Sequence, residues 1–123
     1  MQYKNKAGEA PEELKILQKA FDMIEFGYQA ITQFPKSEKY ALGADIKRCM
    51  HSFLELVIEA QKKYHKKTTL QNLDITLAKL RALVRLAFNL KFLATKRYET
   101  WSAMNVELGK MVGGWIKSQS DKS

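Results

Sequence analysis

The sequence predicts an all-α protein: an antiparallel up-down four-helix bundle that assembles with further copies of itself. Three observations predict it. Apolar residues recur every three or four positions through four stretches, while no run alternates with period two and no Asn-Gly or Asp-Gly hairpin turn occurs. The connections between the stretches are short, which favours antiparallel neighbours. One stretch is also too apolar for a bundle helix that hides a single stripe. The 123 residues show no internal repeat, low-complexity tract or composition break, so they read as one domain.

The first helix is expected over roughly residues 11–33. Pro11 suits a first helical turn, and Glu12 and Glu13 oppose the positive end of the dipole. Leu14, Leu17, Phe21, Ile24, Tyr28 and Ile31 form its apolar seam, and Pro35 ends it because the residue before a proline avoids the α region. The second helix is expected over 37–64, capped by Ser37, with Leu42, Ile46, Cys49, Phe53, Leu56 and Ala60 as its seam. A lysine-rich connection follows. Thr68 and Gln71 have the spacing of a capping box for a third helix over 69–95. The fourth, over 97–118, carries Trp101, Met104, Leu108, Met111 and Trp115.

In the third helix, sixteen of the twenty-five residues 70–94 are Ala, Val, Leu, Ile or Phe. At about 100° per residue, Leu73, Leu77, Leu80 and Val84 share one face. Ile75, Leu83, Leu86, Leu90 and Leu93 share another, turned away from it. No helix of a four-helix bundle is central, so the second face implies contact between subunits; one unusually broad core face is the other reading. Gly109 and Gly113 have the small-x-x-x-small spacing that lets a second helix approach, within the bundle or between subunits. Gly114 would loosen the last turn so that Trp115 reaches a pocket.

Charge narrows the partner. The net charge is +8, and residues 35–97 hold fourteen basic against five acidic side chains, a local excess of +9. A concentrated basic excess is the footprint of a polyanion, most often nucleic acid. A polar stripe of Gln71, Asp74, Arg81, Arg85, Asn89 and Lys96 separates the two apolar faces. Arg81 and Arg85, one turn apart, offer two guanidinium forks to phosphates or to carboxylates of a partner. Alternatively they pair with glutamates of neighbouring helices or subunits. Lys47, Arg48 and Arg97 add to the same set of candidate contacts. Lys62, Lys63, Lys66 and Lys67 flank Tyr64, which either stacks on an unpaired base or closes the end of the bundle.

Catalytic signatures are missing. His51 and His65 belong to no Cys/His cluster, and Glu55 with Glu59 lacks the Glu-x-x-His pattern of a di-iron bundle. Cys49, on an apolar seam, reads as a structural thiol rather than a nucleophile. There is no P-loop, dinucleotide fingerprint or nucleophile elbow. The expectation is a binding protein that needs no metal or cofactor and is not an enzyme. A single cysteine, no signal-peptide core in "MQYKNKAGEAPEE" and no long apolar span point to a cytoplasmic protein without a membrane partner.

The segments "FPKSEKYALG" (34–43), "LRALVRLAFNLKFL" (80–93) and "YETWSAMNVELGKMVGGWIKS" (98–118) together resemble the Avd family. These are the accessory variability determinants of diversity-generating retroelements. They lie within the wider four-helix-bundle family named for ribosomal RNA intervening sequences. The first segment is shared across that wider family, and its combination with "LGKMVGGWIKS" is more specific to Avd. The resemblance runs from about Leu14 to Ser118 and leaves out residues 1–8 and the lysine-rich connection. It implies a non-enzymatic bundle forming a basic homopentameric barrel, associated with the element's reverse transcriptase and template RNA. In that setting it would support adenine-mutagenic cDNA synthesis and retrohoming. The family pattern places basic residues where Arg81 and Arg85 stand. An intervening-sequence-type bundle, or a general nucleic-acid architectural protein, would have no reverse transcriptase partner.

Overall fold

A computed structural model describes residues 11–120, all of its regular structure helical. The first ten residues, and the side chains of Pro11 and Glu12, lie outside this description. Four long helices, α1 (Pro11–Ile31), α3 (Leu42–Lys62), α4 (Lys67–Asn89) and α5 (Thr95–Ser120), form the bundle, and a single turn, α2 (Lys36–Lys39), sits between the first two. Helix α1 packs on α3 and α5, and α4 packs on the same two. Each long helix therefore has two neighbours, and none is central. Four- and five-residue connections, 63–66 and 90–94, turn the chain back on itself, as an up-down bundle requires.

The core follows heptad spacing, one position away from several expected seams. On α1 the most buried line is Ile16, Ala20, Met23, Gly27 and Ala30, with Leu17, Ile24 and Ile31 beside it. Leu14 and Phe21 are half-buried and Tyr28 is exposed. The small residues Ala20, Gly27 and Ala30 carry little hydrophobic signal, yet they let neighbouring helices come close. On α3, Met50 and Val57 are fully buried, while Cys49 and Leu56 sit at the margin. On α5, Asn105 and Val112 take the inner positions, and Met104 and Met111 are half-buried. The expected inner face of α4 is correct: Leu73, Leu77, Leu80 and Val84 are all buried.

Two helix boundaries differ from the sequence reading. The expected second helix is broken at Tyr40–Ala41, where Ala41 leaves the helical region with φ −111° and ψ −96°. Ser37 thus lies inside α2, whose N-cap is Pro35, and no side chain caps either α2 or α3. The break lets Phe34 and Leu42 both turn inward. It also explains the last residue of "FPKSEKYALG". A Cβ on Gly43 would lie 2.9 Å from Ile31 Cγ2 and 3.2 Å from the Glu38 carbonyl, so a side chain there would force α1 and the α2 turn away from α3. Thr68 does not cap α4 either; the N-cap is Lys66, without a side-chain hydrogen bond.

Helix α4 ends at Asn89, six residues before the expected limit. The Phe92 N–H donates to the Ala87 carbonyl and the Lys91 N–H to the Phe88 carbonyl, each at 2.9 Å. That is the double bond pattern of a Schellman cap, and it puts Lys91 at φ +67° in the position usually held by glycine. The turn swings Leu93 into the core, where it is 4% exposed, and sets Phe92 against Phe34 at 5.7 Å. Because a non-glycine residue in this region costs on the order of 1 kcal/mol, Lys91→Gly is expected to stabilise the protein by about that amount. Urea unfolding of the two proteins checks it; an unchanged midpoint would show that the lysine side chain offsets its own strain.

Candidate nucleic-acid and partner interface

The basic side chains do not converge on one patch. Lys62, Lys63, Lys66 and Lys67 lie at one end of the bundle, around the α3–α4 connection. Lys47 and Arg48 stand near the start of α3, and Lys96 and Arg97 near the start of α5, towards the opposite end. Arg81 and Arg85 lie between, on α4. Fourteen residues at 1.5 Å rise separate Lys67 from Arg81 by about 21 Å along the axis.

Several of these cations are already engaged. Lys63 pairs with Glu59 at 2.8 Å and donates to Thr69 Oγ1 at 3.2 Å. Lys66 reaches Glu13 at 3.8 Å and lies over the Trp115 ring at 5.6 Å, with only 12% of its side chain exposed. It fastens α1 and α5 to the connection and is poorly placed for a polyanion. Arg48 pairs with Asp45, and Lys47 covers the Tyr28 ring at 4.6 Å. That ring also stacks on His51, whose Nε2 is 2.7 Å from the Tyr28 hydroxyl. Tyr64 does not close the bundle; it is 88% exposed and touches only the edge of His65.

Arg81 and Arg85 are different. Both are exposed, and neither meets a carboxylate among the described residues, so the intrasubunit pairing suggested by the sequence does not occur. Arg85 Nε donates to Asn89 Oδ1 at 3.2 Å, which leaves most guanidinium donors of the pair open. With Ala78 and Ala82 they border a groove of about 330 Å³ between α4 and α5. Tyr98, Ser102 and Asn105 form its α5 side. Tyr98 is held there by stacking on Phe88, centroids 4.2 Å apart and planes within 9°. Neither amide atom of Asn105 has a hydrogen-bond partner, although the residue is fully buried. The sequence reading missed all three α5 residues. The available signal was Asn105 itself, a polar residue four after Trp101 and three before Leu108.

The second apolar face of α4 is real but shorter than expected. Ile75, Leu86 and Leu90 stand exposed at 46%, 43% and 49%, and Leu83 is half-buried. Leu93 belongs to the core of its own subunit. Packing within the bundle, one of the two readings of the C-terminal glycines, does not hold at Gly113. A Cβ on Gly109 would make ordinary contact with Leu77 at 3.6 Å, and one on Gly113 or Gly114 would meet nothing within 4 Å. No helix of the same bundle presses against Gly113 or Gly114. Nor does Gly114 break α5, which continues to Ser120.

The Cys49 thiol donates to the Thr76 carbonyl at 3.4 Å, and burial pushes its pKa upward despite the opposing charge of Lys79. It stays protonated and weakly nucleophilic. Among the described residues no three His, Cys, Asp or Glu side chains gather as a metal site, and no helix is long and apolar enough to cross a membrane.

A family model described as bAvd-like matches residues 14–119. The chain belongs to the bAvd-like family. The match covers all four long helices, agreeing with the resemblance carried by the three sequence segments and with an accessory variability determinant. The family is one of accessory, non-catalytic proteins of diversity-generating retroelements, and the bundle of this bAvd-like chain is the scaffold that presents the arginine-bordered groove. A comparison with curated proteins found no match.

Proposed function

We propose that this bAvd-like chain is the accessory protein of a diversity-generating retroelement, a basic homopentamer that binds the element's reverse transcriptase and template RNA. In that role it supports mutagenic cDNA synthesis and retrohoming. The observation that carries the reading is the pair Arg81 and Arg85, exposed one turn apart without a neutralising carboxylate beside them. Two such forks suit phosphates of RNA or carboxylates of a polymerase equally. A search of the genomic neighbourhood for a reverse transcriptase gene, pull-down of its product and RNA titrations at several salt concentrations test it. Retention of the polymerase and an affinity that falls with salt are expected. If the protein binds neither partner at low salt, the accessory role fails, and an intervening-sequence-type bundle without a polymerase is the better account.

Assembly has its own test. Ile75, Leu86 and Leu90 are exposed in the single chain, so a charge there is tolerated by the fold. Leu86→Glu is expected to keep full helicity while weakening subunit association roughly 100-fold, because an unpaired carboxylate would be buried at the interface. Circular dichroism reads the helicity, and light scattering with chromatography at micromolar protein reads the association. A wild-type monomer of 14.2 kDa at every concentration would remove the pentamer from the proposal.

A further inference from the structure

We infer that the groove between α4 and α5 is a socket for one unpaired nucleotide, with Asn105 reading the edge of the base and Arg81 and Arg85 holding the adjoining phosphates. The inference rests on the nucleic-acid part of the proposed function and goes further by naming what enters and which residue meets it. Its starting point is the amide of Asn105, whose Nδ2 donor and Oδ1 acceptor both lack a partner while the residue is 0% exposed. Buried polar groups are nearly always paired, and leaving one unpaired is destabilising. Trp101 and Trp115 also have unpaired indole N–H groups, but neither lines this groove. Asn105 does.

The composition of the groove selects the ligand. A backbone phosphodiester or a lone ionised carboxylate offers only acceptors, so it would satisfy the arginines and Asn105 Nδ2 and leave Oδ1 unmatched. A ligand that matches this lining presents a donor and an acceptor side by side to Asn105 and negative charge to Arg81 and Arg85. Every nucleobase has such an adjacent pair on its Watson–Crick edge, and its backbone supplies the charge. The volume of about 330 Å³ is at the small end of ligand sites, which run from roughly 300 Å³ upward. Ala78 and Ala82 keep the α4 wall low, and Tyr98, fixed against Phe88, gives the α5 side a rigid aromatic border. Arg81 and Arg85 stand exposed at the rim and hold no carboxylate, and entry of a base requires the side chains over the buried amide to move aside. Because all four bases carry a donor–acceptor pair, the socket demands a base rather than a sequence. It excludes duplex, whose Watson–Crick edges are occupied.

Fluorescence anisotropy of the full-length protein tests this with three labelled RNAs of equal length: a mixed-sequence single strand, the same backbone with abasic sites, and a duplex. The single strand is expected to bind about tenfold more tightly than the abasic strand, the discrimination one good donor–acceptor pair gives. Asn105→Leu removes the amide while keeping the branched shape and heavy-atom count of the asparagine side chain. It should bring the two affinities together without lowering the melting temperature, since the amide contributes no bond to the fold. Ala82→Phe, at an exposed position, should do the same by filling the groove with Asn105 left in place. Equal binding of base-bearing and abasic strands by wild type would overturn the socket and leave phosphate binding intact. No binding of any strand would overturn it together with the RNA-binding role. If Asn105→Leu and Ala82→Phe instead lose the reverse transcriptase while base preference persists, the occupant is a protein side chain and the inference is wrong.

Discussion

Trp101→Ala is expected to destabilise the bundle by roughly 3–5 kcal/mol, the usual range for truncating a fully buried tryptophan. Trp101 is 0% exposed, and Phe26 packs edge-on against it with centroids 6.3 Å apart. Its Cζ2 lies 2.8 Å from the point where Gly27 would carry a Cβ, and Met50 Sδ lies 2.6 Å from the same point. Three helices, α1, α3 and α5, therefore meet where α1 has no side chain. Gly27→Ala alone should destabilise by roughly 1–3 kcal/mol through overpacking, because Met50 can yield but the indole cannot. The two substitutions should not be additive. With the indole gone, the alanine methyl occupies part of the cavity, so the double variant should be more stable than the sum of the singles by about 1 kcal/mol or more. Thermal melts of the four proteins measure the cycle. Strict additivity would mean that Gly27 and Trp101 do not share this contact.

The architecture was readable because it depends on periodicity, and α4 shows why. Its inner face, Leu73 to Val84, consists of strong hydrophobes at unbroken 3–4 spacing, and every one of them is buried. Where small or polar residues hold inner positions, the same reading slipped by one place: Ala20, Gly27 and Ala30 on α1, and Asn105 on α5. Burial there is decided by how closely a neighbouring helix approaches, which no residue announces by its own hydrophobicity. Gly27 and Gly43, the two glycines under real steric constraint, drew no attention, whereas Gly113 did and faces open space. The early end of α4 was hidden for a related reason. Lysine at a left-handed cap gives no signal, since glycine is the residue expected there. At the candidate site, the two arginines stood out in an acid-poor stretch. Of their α5 partners only Asn105 carried a signal, as a polar residue on the apolar seam; Tyr98 and Ser102 are brought to the groove by tertiary packing alone.

Reversing both arginines, Arg81→Glu with Arg85→Glu, is expected to lower RNA affinity roughly 10- to 100-fold at low salt, and to flatten the salt dependence by about one phosphate contact for each residue. The bundle should stay folded. Both side chains are exposed, and apart from the Arg85–Asn89 hydrogen bond neither forms a hydrogen bond or ion pair among the described residues. The lysines separate into two kinds under the same assay. Lys62 and Lys67 are exposed and without a partner among the described residues, so alanine there should reduce the salt slope by about 0.7 each on single strands and leave stability unchanged. Lys66 is mostly buried between Glu13 and Trp115, so Lys66→Ala should lower the melting temperature and affect RNA binding little. Comparison of the reverse transcriptase pull-down with the RNA titration then assigns the arginines. Loss of both activities in the double variant makes one surface serve both partners, and loss of RNA alone makes the groove a nucleic-acid site. A folded double variant that keeps both at wild-type strength would show that the open guanidinium groups contact neither, and the binding surface would have to be sought at the lysine-rich end, about 21 Å away along α4.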